Sequence, residues 1–198
     1  MFFEKLKNYN VLLASGSKRR HELLNQLGVE FKIINQDIEE SFSNELKCSE
    51  ITDYLAKKKS SLLIKNLKKN DLLITSDTIV WYKNRALGKP KNRDEAFEMI
   101  KSLENSSHEV ITSICISTIK SQVIVNEKTL VFFDNIDKND LLYYTKTSDV
   151  LDRAGSYGIQ DYIGHIGIKK IQGSYSNVLG FPTNLFVNTI NSMNLWNG

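Results

Sequence analysis

Residues 11–20 constrain the fold more than any other part of the chain. The apolar run Val11-Leu12-Leu13-Ala14 passes through Ser15-Gly16-Ser17 into Lys18-Arg19-Arg20, and Leu23, Leu24 and Leu27 follow at helical spacing. That order reads as a buried strand, a tight turn and a helix. Ser17 is the expected N-cap, and Gly28 stands where helices commonly stop. The first helical turn then carries three successive cations. The helix dipole already places partial positive charge there, and each added cation costs roughly 0.3 to 1 kcal/mol. A bound anion would turn that cost into affinity. Backbone N–H groups, the hydroxyls of Ser15 and Ser17, and the guanidinium forks of Arg19 and Arg20 suit a polyphosphate. A basic surface turn is the alternative reading of the same stretch.

The chain has 198 residues, 41% of them hydrophobic, which is enough to bury a substantial core. No internal repeat and no linker rich in Pro, Gly or Ser divides it, so residues 1–198 are expected to form a single domain. A formal charge of +3 is too small to argue for a nucleic-acid partner, so the positive charge matters only where it clusters. Cys48 and Cys115 stand far apart with no C-x-x-C or Cys/His spacing, which suggests neither a disulfide framework nor a zinc site. Cys115, inside Ile114-Cys115-Ile116, is expected to be a buried small hydrophobe. No apolar run approaches the roughly 20 residues that span a bilayer, and Met1-Phe2-Phe3-Glu4-Lys5 lacks the apolar core of a signal peptide. A cytoplasmic location without a membrane partner is expected.

Residues 31–34 form a short strand candidate, and residues 35–48 form a polar loop carrying Asp37, Glu39, Glu40 and Glu45. Ser49 or Thr52 is positioned to cap the next helix, whose apolar positions Ile51, Tyr54, Leu55, Leu62 and Leu63 keep the 3.6 period. On its wheel Lys57 points away from the apolar arc, while Lys58 and Lys59 fall inside it, with Lys59 nearer the centre. A lysine there either snorkels to the surface or reaches an anion beneath the helix. Residues 71–77 have a buried-strand pattern that is expected to end on the carboxylate of Asp77, and carboxyl ends of strands line ligand crevices in open α/β sheets.

Residues 79–82 and 85–88 read as a hairpin about Lys83-Asn84, leading to Gly88-Lys89-Pro90. Asn92 with Glu95 three residues later announces a helix. Residues 108–118 and 122–133 read as strands, residues 137–147 as a helix, and His108 as a structural residue. The Gly-spaced segment 152–160 suggests close backbone approach, with a strand pattern through Ile171 after it and a closing helix over residues 183–193. Collected, an anion-binding helix start, Asp77, Glu40 and the isolated Lys59 and Lys89 suit metal-assisted phosphate chemistry. The G-x-x-x-x-G-K-[ST] and G-x-G-x-x-G patterns do not occur, so P-loop and dinucleotide folds are not supported.

These pieces, in this order, resemble the Maf family of nucleoside triphosphate pyrophosphatases. Leu13-Ala14-Ser15-Gly16-Ser17-Lys18-Arg19-Arg20-His21-Glu22-Leu23-Leu24 is similar to that family's L-A-S-x-S-P-R-R-x-E-L-L signature. Ser76-Asp77-Thr78-Ile79-Val80 resembles its (A/S)-D-T-V-V element, and Gly88-Lys89-Pro90 its G-K-P. Residues 103–112, with His108, resemble L-S-G-x-x-H-x-V-x-T, and Asp152-Arg153-Ala154-Gly155 with Tyr157-Gly158-Ile159-Gln160 resembles D-K-A-G-x-Y-G-I-Q.

The resemblance implies an elongated, two-lobed α/β fold with a mixed sheet, related to the inosine triphosphate pyrophosphatases, with the site in the cleft between lobes. It implies hydrolysis of a nucleoside triphosphate to monophosphate and pyrophosphate with a divalent cation, Mg²⁺ or Mn²⁺. By position, Asp77 becomes the proton acceptor that activates water and Glu40 a second acid assisting metal or water, so both are candidate metal ligands. Ser15, Arg19, Arg20, Lys59 and Lys89 become phosphate-binding residues. Arg19, Thr78 and Gln160 stand where the family's dTTP/UTP branch is marked, which implies dTTP and UTP, including modified uridine triphosphates, as substrates. Homodimers are common in the family. Lys18 replaces the signature's proline, Arg153 replaces a lysine and Phe181 a leucine, and none of these changes touches the implied chemistry. A nucleotide-responsive regulator of cell division with little turnover is a second role the family carries.

Overall fold

The computed structural model describes residues 2–34 and 38–193. Asp37, one of the acids of the expected loop, lies outside the described residues. The strands are β1 (Asn10–Ala14), β2 (Lys32–Ile33), β3 (Asp71–Tyr82), β4 (Arg85–Leu87), β5 (Ser107–Ser117), β6 (Gln122–Phe133) and β7 (Ile168–Gln172). The helices are α1 (Phe2–Leu6), α2 (Lys18–Gln26), α3 (Ser49–Leu63), α4 (Arg93–Leu103), α5 (Lys138–Thr147), α6 (Tyr162–Gly167), α7 (Tyr175–Val178) and α8 (Thr183–Ser192). The strands form a mixed seven-stranded sheet in the order β2-β1-β3-β5-β6-β7, with β4 paired to β3. The expected α/β class is therefore observed. No described helix is long and apolar enough to cross a membrane.

The chain divides into two compact units, the first comprising Met1–Asp77, Thr112–Glu127 and Gly180–Gly198, the second Thr78–Ile111 and Lys128–Leu179. In the first unit β1 runs parallel to both β2 and β3, and Ala14 is in register with Thr75. Because the two strands point the same way, the turn leaving β1 emerges level with Ser76 and Asp77. Leu13, Leu72, Leu73 and Ile74 are fully buried, as the near-continuous apolar runs of interior parallel strands require. Helix α3 covers this layer with Ile51, Leu55 and Ala56.

Buried hydroxyls tie α3 down at one-turn intervals. Ser113 Oγ donates to Thr52 Oγ1 at 2.6 Å, Thr75 Oγ1 donates to the Ala56 carbonyl at 2.7 Å, and Ser60 Oγ lies 2.7 Å from Ser117 Oγ. Such pairs are directional, so they fix the helix's axial register in a way apolar contact alone does not.

In the second unit β3 and β4 form the expected hairpin, with Lys83 and Asn84 both at positive φ. Asn92 caps α4 by accepting from the Glu95 N–H at 2.8 Å. The core of this unit gathers Val80, Leu87, Ile100, Leu103, Val131, Phe133, Leu141, Tyr144 and Ile163.

Three expectations need correction. Strand β3 does not end at Asp77 but continues to Tyr82, so the carboxylate stands within a strand. Neither Ser49 nor Thr52 caps α3. The N-cap is Cys48, at φ 50 without a side-chain cap bond, and Glu50 instead accepts the Lys47 N–H at 2.9 Å. Residues 162–167 are helical, and only Ile168–Gln172 form the strand expected to run through Ile171.

Candidate active site

Ser17 occupies the N-cap of α2 in extended conformation, but its side chain makes no cap bond, and the first turn contains no acid. The cations of that turn therefore add to a helix terminus whose own first turn supplies no acid. Arg20 is drawn into the scaffold. Its Nη1 donates to Ser15 Oγ at 3.1 Å and to the Ser76 carbonyl at 3.0 Å, and its Nε donates to the Gly180 carbonyl at 2.8 Å. One guanidinium thus ties the turn after β1 to the residue preceding Asp77. His21 completes the turn with Nε2 at 2.6 Å from the Ser15 carbonyl oxygen. Arg19 stands beside Arg20 on the same turn, half-buried.

Lys59 is the centre of the site. Its Nζ donates to Asp77 Oδ1 at 2.6 Å and to Glu40 Oε1 at 2.8 Å, and its side chain is only 11% exposed. Lys58, one residue earlier, reaches outward to the carbonyls of Glu39 and Ser41 at 2.9 and 3.3 Å. The helical wheel placed both lysines inside the apolar arc, and its ranking of Lys59 as nearer the centre agrees with the inward reach of Lys59. Ser15, Arg20, Glu40, Lys59 and Asp77, drawn from four separate stretches of sequence, come together in the first unit.

Asp77 is buried, and desolvation raises its pKa above the ordinary carboxylate value. Lys59 opposes this through its charge and its hydrogen bond, Arg20 opposes it through its charge, and Glu40 adds a smaller upward push. A carboxylate made more basic by burial, yet kept ionisable by two cations, is suited to accepting a proton. Asp77 and Glu40 also present oxygens to one point, the position now taken by the Lys59 ammonium. Among the described residues no group of three or more His, Cys, Asp and Glu gathers. Two carboxylates suit a hard divalent cation that completes its shell with phosphate oxygens and water.

Thr78, Lys89 and Gln160 belong to the second unit. Thr78 is half-buried on β3. Lys89 is exposed and pairs with Asp152 at 2.6 Å. The segment joining that pair to Gln160 is tightly held: Gly155, at φ +68, donates its N–H to the Gly88 carbonyl at 3.1 Å, and a Cβ there would lie 2.8 Å from Val80. Gln160 Oε1 is buried with no hydrogen-bond partner among the described residues. His108 is a structural group, as expected. It is 2% exposed, its ring packs edge-on against Phe133 and Tyr157, and its Nε2 lies 2.6 Å from the Tyr157 hydroxyl.

The profile of the family described as Maf-like protein matches residues 10–193. A protein of Flavobacterium johnsoniae named dTTP/UTP pyrophosphatase is 46% identical over 183 residues, 92% of this chain and 94% of that one. A second protein of that name, from Christiangramia forsetii, is 46% identical over 193 residues, 98% of each chain. Among solved structures, the Ham1 protein of Staphylococcus aureus superposes with a TM-score of 0.52 at 15% identity, covering 92% of this chain and 98% of its own. That likeness concerns the fold alone.

Proposed function

The chain belongs to the Maf-like protein family, and we propose that it is a nucleoside triphosphate pyrophosphatase. In this reading it hydrolyses dTTP and UTP, modified uridine triphosphates included, to the monophosphate and pyrophosphate. The names of the curated relatives support the reaction and the substrates. One geometric observation favours it above the others: the Lys59 ammonium bridges Asp77 and Glu40, while Arg20 ties the Ser15 turn to the strand bearing Asp77.

Asp77 accepts a proton from water at its carboxylate, burial having raised its basicity, as the water attacks the α-phosphorus. Glu40 assists in placing metal or water. Ser15, Arg19, Arg20, Lys59 and Lys89 hold phosphate oxygens and stabilise the charge that develops on them. Lys59 is prepared for this by standing among anions, and nucleotide binding exchanges a carboxylate partner for a phosphate. Arg19, Thr78 and Gln160 select the base. The partnerless Oε1 of Gln160 is an acceptor suited to an imide N–H such as that of uracil or thymine. Mg²⁺ or Mn²⁺, held by Asp77 and Glu40, would supply charge neutralisation on the triphosphate.

A single functional domain over residues 1–198, a cytoplasmic site of action and a homodimeric assembly belong to the same reading. The two free cysteines agree with a reducing compartment.

A panel of nucleoside triphosphates assayed with and without divalent metal tests this function. UTP and dTTP should be the best substrates, and Asp77→Asn should lower turnover roughly 10²- to 10⁴-fold while nucleotide still binds. CTP or GTP outperforming both, or an Asp77→Asn variant at wild-type rate, would overturn it.

A further inference from the structure

In the second unit, a fully buried hydroxyl grips the chain on both sides of Gln160. Tyr144, on α5, is 0% exposed. Its OH donates to Asp161 Oδ2 at 2.7 Å and accepts from the Gly158 N–H at 3.2 Å. One side-chain atom therefore holds the residue two before Gln160 and the residue directly after it. The same Asp161 oxygen lies 2.9 Å from Arg153 Nη1, and Arg153 Nε donates to the Asp149 carbonyl at 2.9 Å. Gly158 leaves the space this arrangement needs, since a Cβ there would lie 1.7 Å from Arg153 Nη1 and 2.7 Å from Asp161 Oδ2. Asp161 is in addition the N-cap residue of α6.

None of these groups is spent on chemistry in the proposed reaction. Burying a tyrosine hydroxyl against a half-buried carboxylate and guanidinium is costly unless the groups satisfy one another. A leucine or phenylalanine in place of Tyr144 would fill the core at lower risk. What the polar arrangement adds is direction: hydrogen bonds define distance and angle, whereas apolar contact tolerates sliding. Gln160 is the residue that needs such definition, because discrimination by a side-chain amide depends on whether its oxygen or its nitrogen meets the partner's edge within hydrogen-bond geometry.

We propose that Tyr144, acting through Gly158 and Asp161, is a positioning residue for base selection, holding the Gln160 amide where it distinguishes uracil and thymine from cytosine. The proposal rests on the pyrophosphatase reading. Tyr144 touches no substrate, and its effect is carried by the backbone on either side of Gln160.

The test is the ratio of kcat/KM for UTP to that for CTP in wild type, Tyr144→Phe and Leu141→Val. Phenylalanine keeps the ring and its volume but removes the hydroxyl, leaving the Gly158 N–H and the Asp161 carboxylate short of a partner. Leu141 is a fully buried neighbour on α5 outside the grip, so Leu141→Val loosens the same core by packing alone.

Tyr144→Phe should lower the UTP:CTP ratio about tenfold, chiefly by weakening UTP, a loss in the range of one misplaced specific hydrogen bond. Leu141→Val should lower thermal stability and leave the ratio at the wild-type value. An unchanged ratio in Tyr144→Phe would overturn the proposal, as would an equal fall in both variants, which would make the ratio a report on stability. A wild-type protein without preference for UTP would instead defeat the pyrophosphatase reading on which the proposal stands.

Discussion

The pH dependence of stability should carry the signature of one buried imidazole. His108 is 2% exposed, and burial depresses its pKa from 6.5 to about 3. The folded protein therefore refuses a proton that the unfolded chain accepts as pH falls below 6.5. Between these two values the unfolded state binds more protons, so stability rises with pH through this window and falls as the solution is acidified. At pH 5 the unfolded imidazole is almost fully charged and the folded one neutral, which destabilises the protein by about 2 kcal/mol relative to pH 8. Against a total of about 5 to 15 kcal/mol for a protein of ordinary stability, this is a large fraction.

Urea unfolding followed at pH 8, 7, 6 and 5 in wild type and in His108→Gln measures the effect. Glutamine keeps a neutral group able to meet the Tyr157 hydroxyl but does not titrate, so the carboxylates common to both proteins cancel in the difference. Wild type should lose about 2 kcal/mol more than the variant between pH 8 and pH 5. Parallel curves would refute the reasoning, since they would mean that the imidazole is protonated as readily in the folded protein as in the unfolded chain.

Two further outcomes follow from the site. Lys59→Gln removes the ammonium that lowers the pKa of Asp77, so the acidic limb of the kcat/KM profile should move to higher pH and kcat should fall roughly 10²- to 10³-fold, read from steady-state kinetics. Thr75→Val keeps side-chain volume but removes the hydroxyl that meets the Ala56 carbonyl, whereas Thr75→Ser keeps the hydroxyl and removes a methyl group. If this bond seats α3 and hence Lys59, kcat should fall more in Thr75→Val than in Thr75→Ser, with thermal unfolding reporting a loss of about 1 kcal/mol for the valine variant.

What the sequence made legible was mainly local. The strand, turn and helix over residues 10–26, the hairpin about Lys83-Asn84 and the Asn92 cap each depend on residues within a few positions of one another, and each is observed. The helical wheel sets Lys57 apart and ranks Lys59 nearer the centre of the apolar arc than Lys58, because direction around a helix is set by spacing alone. It gave no partner for Lys59, since Glu40 and Asp77 lie 19 and 18 residues away along the chain.

Arg20 was expected to face phosphate, and nothing nearby in sequence announced its bond to the carbonyl of Gly180, 160 residues distant. Nothing near Tyr144 in the sequence announces its role, because its two partners follow 14 and 17 residues later across a change of element. Ile163 and Ile166 give residues 162–167 a strand-like composition, but Gly164 sits against the Ile159 carbonyl, where a Cβ would lie 2.2 Å from the oxygen, and the chain turns helically. The apolar run pauses at Ser76-Asp77-Thr78, which suggests a strand end, yet β3 continues through all three.

In the proposed reaction Asp77 directs water to the α-phosphorus of a nucleoside triphosphate. Hydrolysis of UTP in ¹⁸O-labelled water, with products separated and weighed by mass spectrometry, tests it most directly. Pyrophosphate should be free of label and uridine monophosphate should carry one ¹⁸O, with formation of both products slowed alike in Asp77→Asn. Label in pyrophosphate, or uridine diphosphate with orthophosphate as the products, would contradict it.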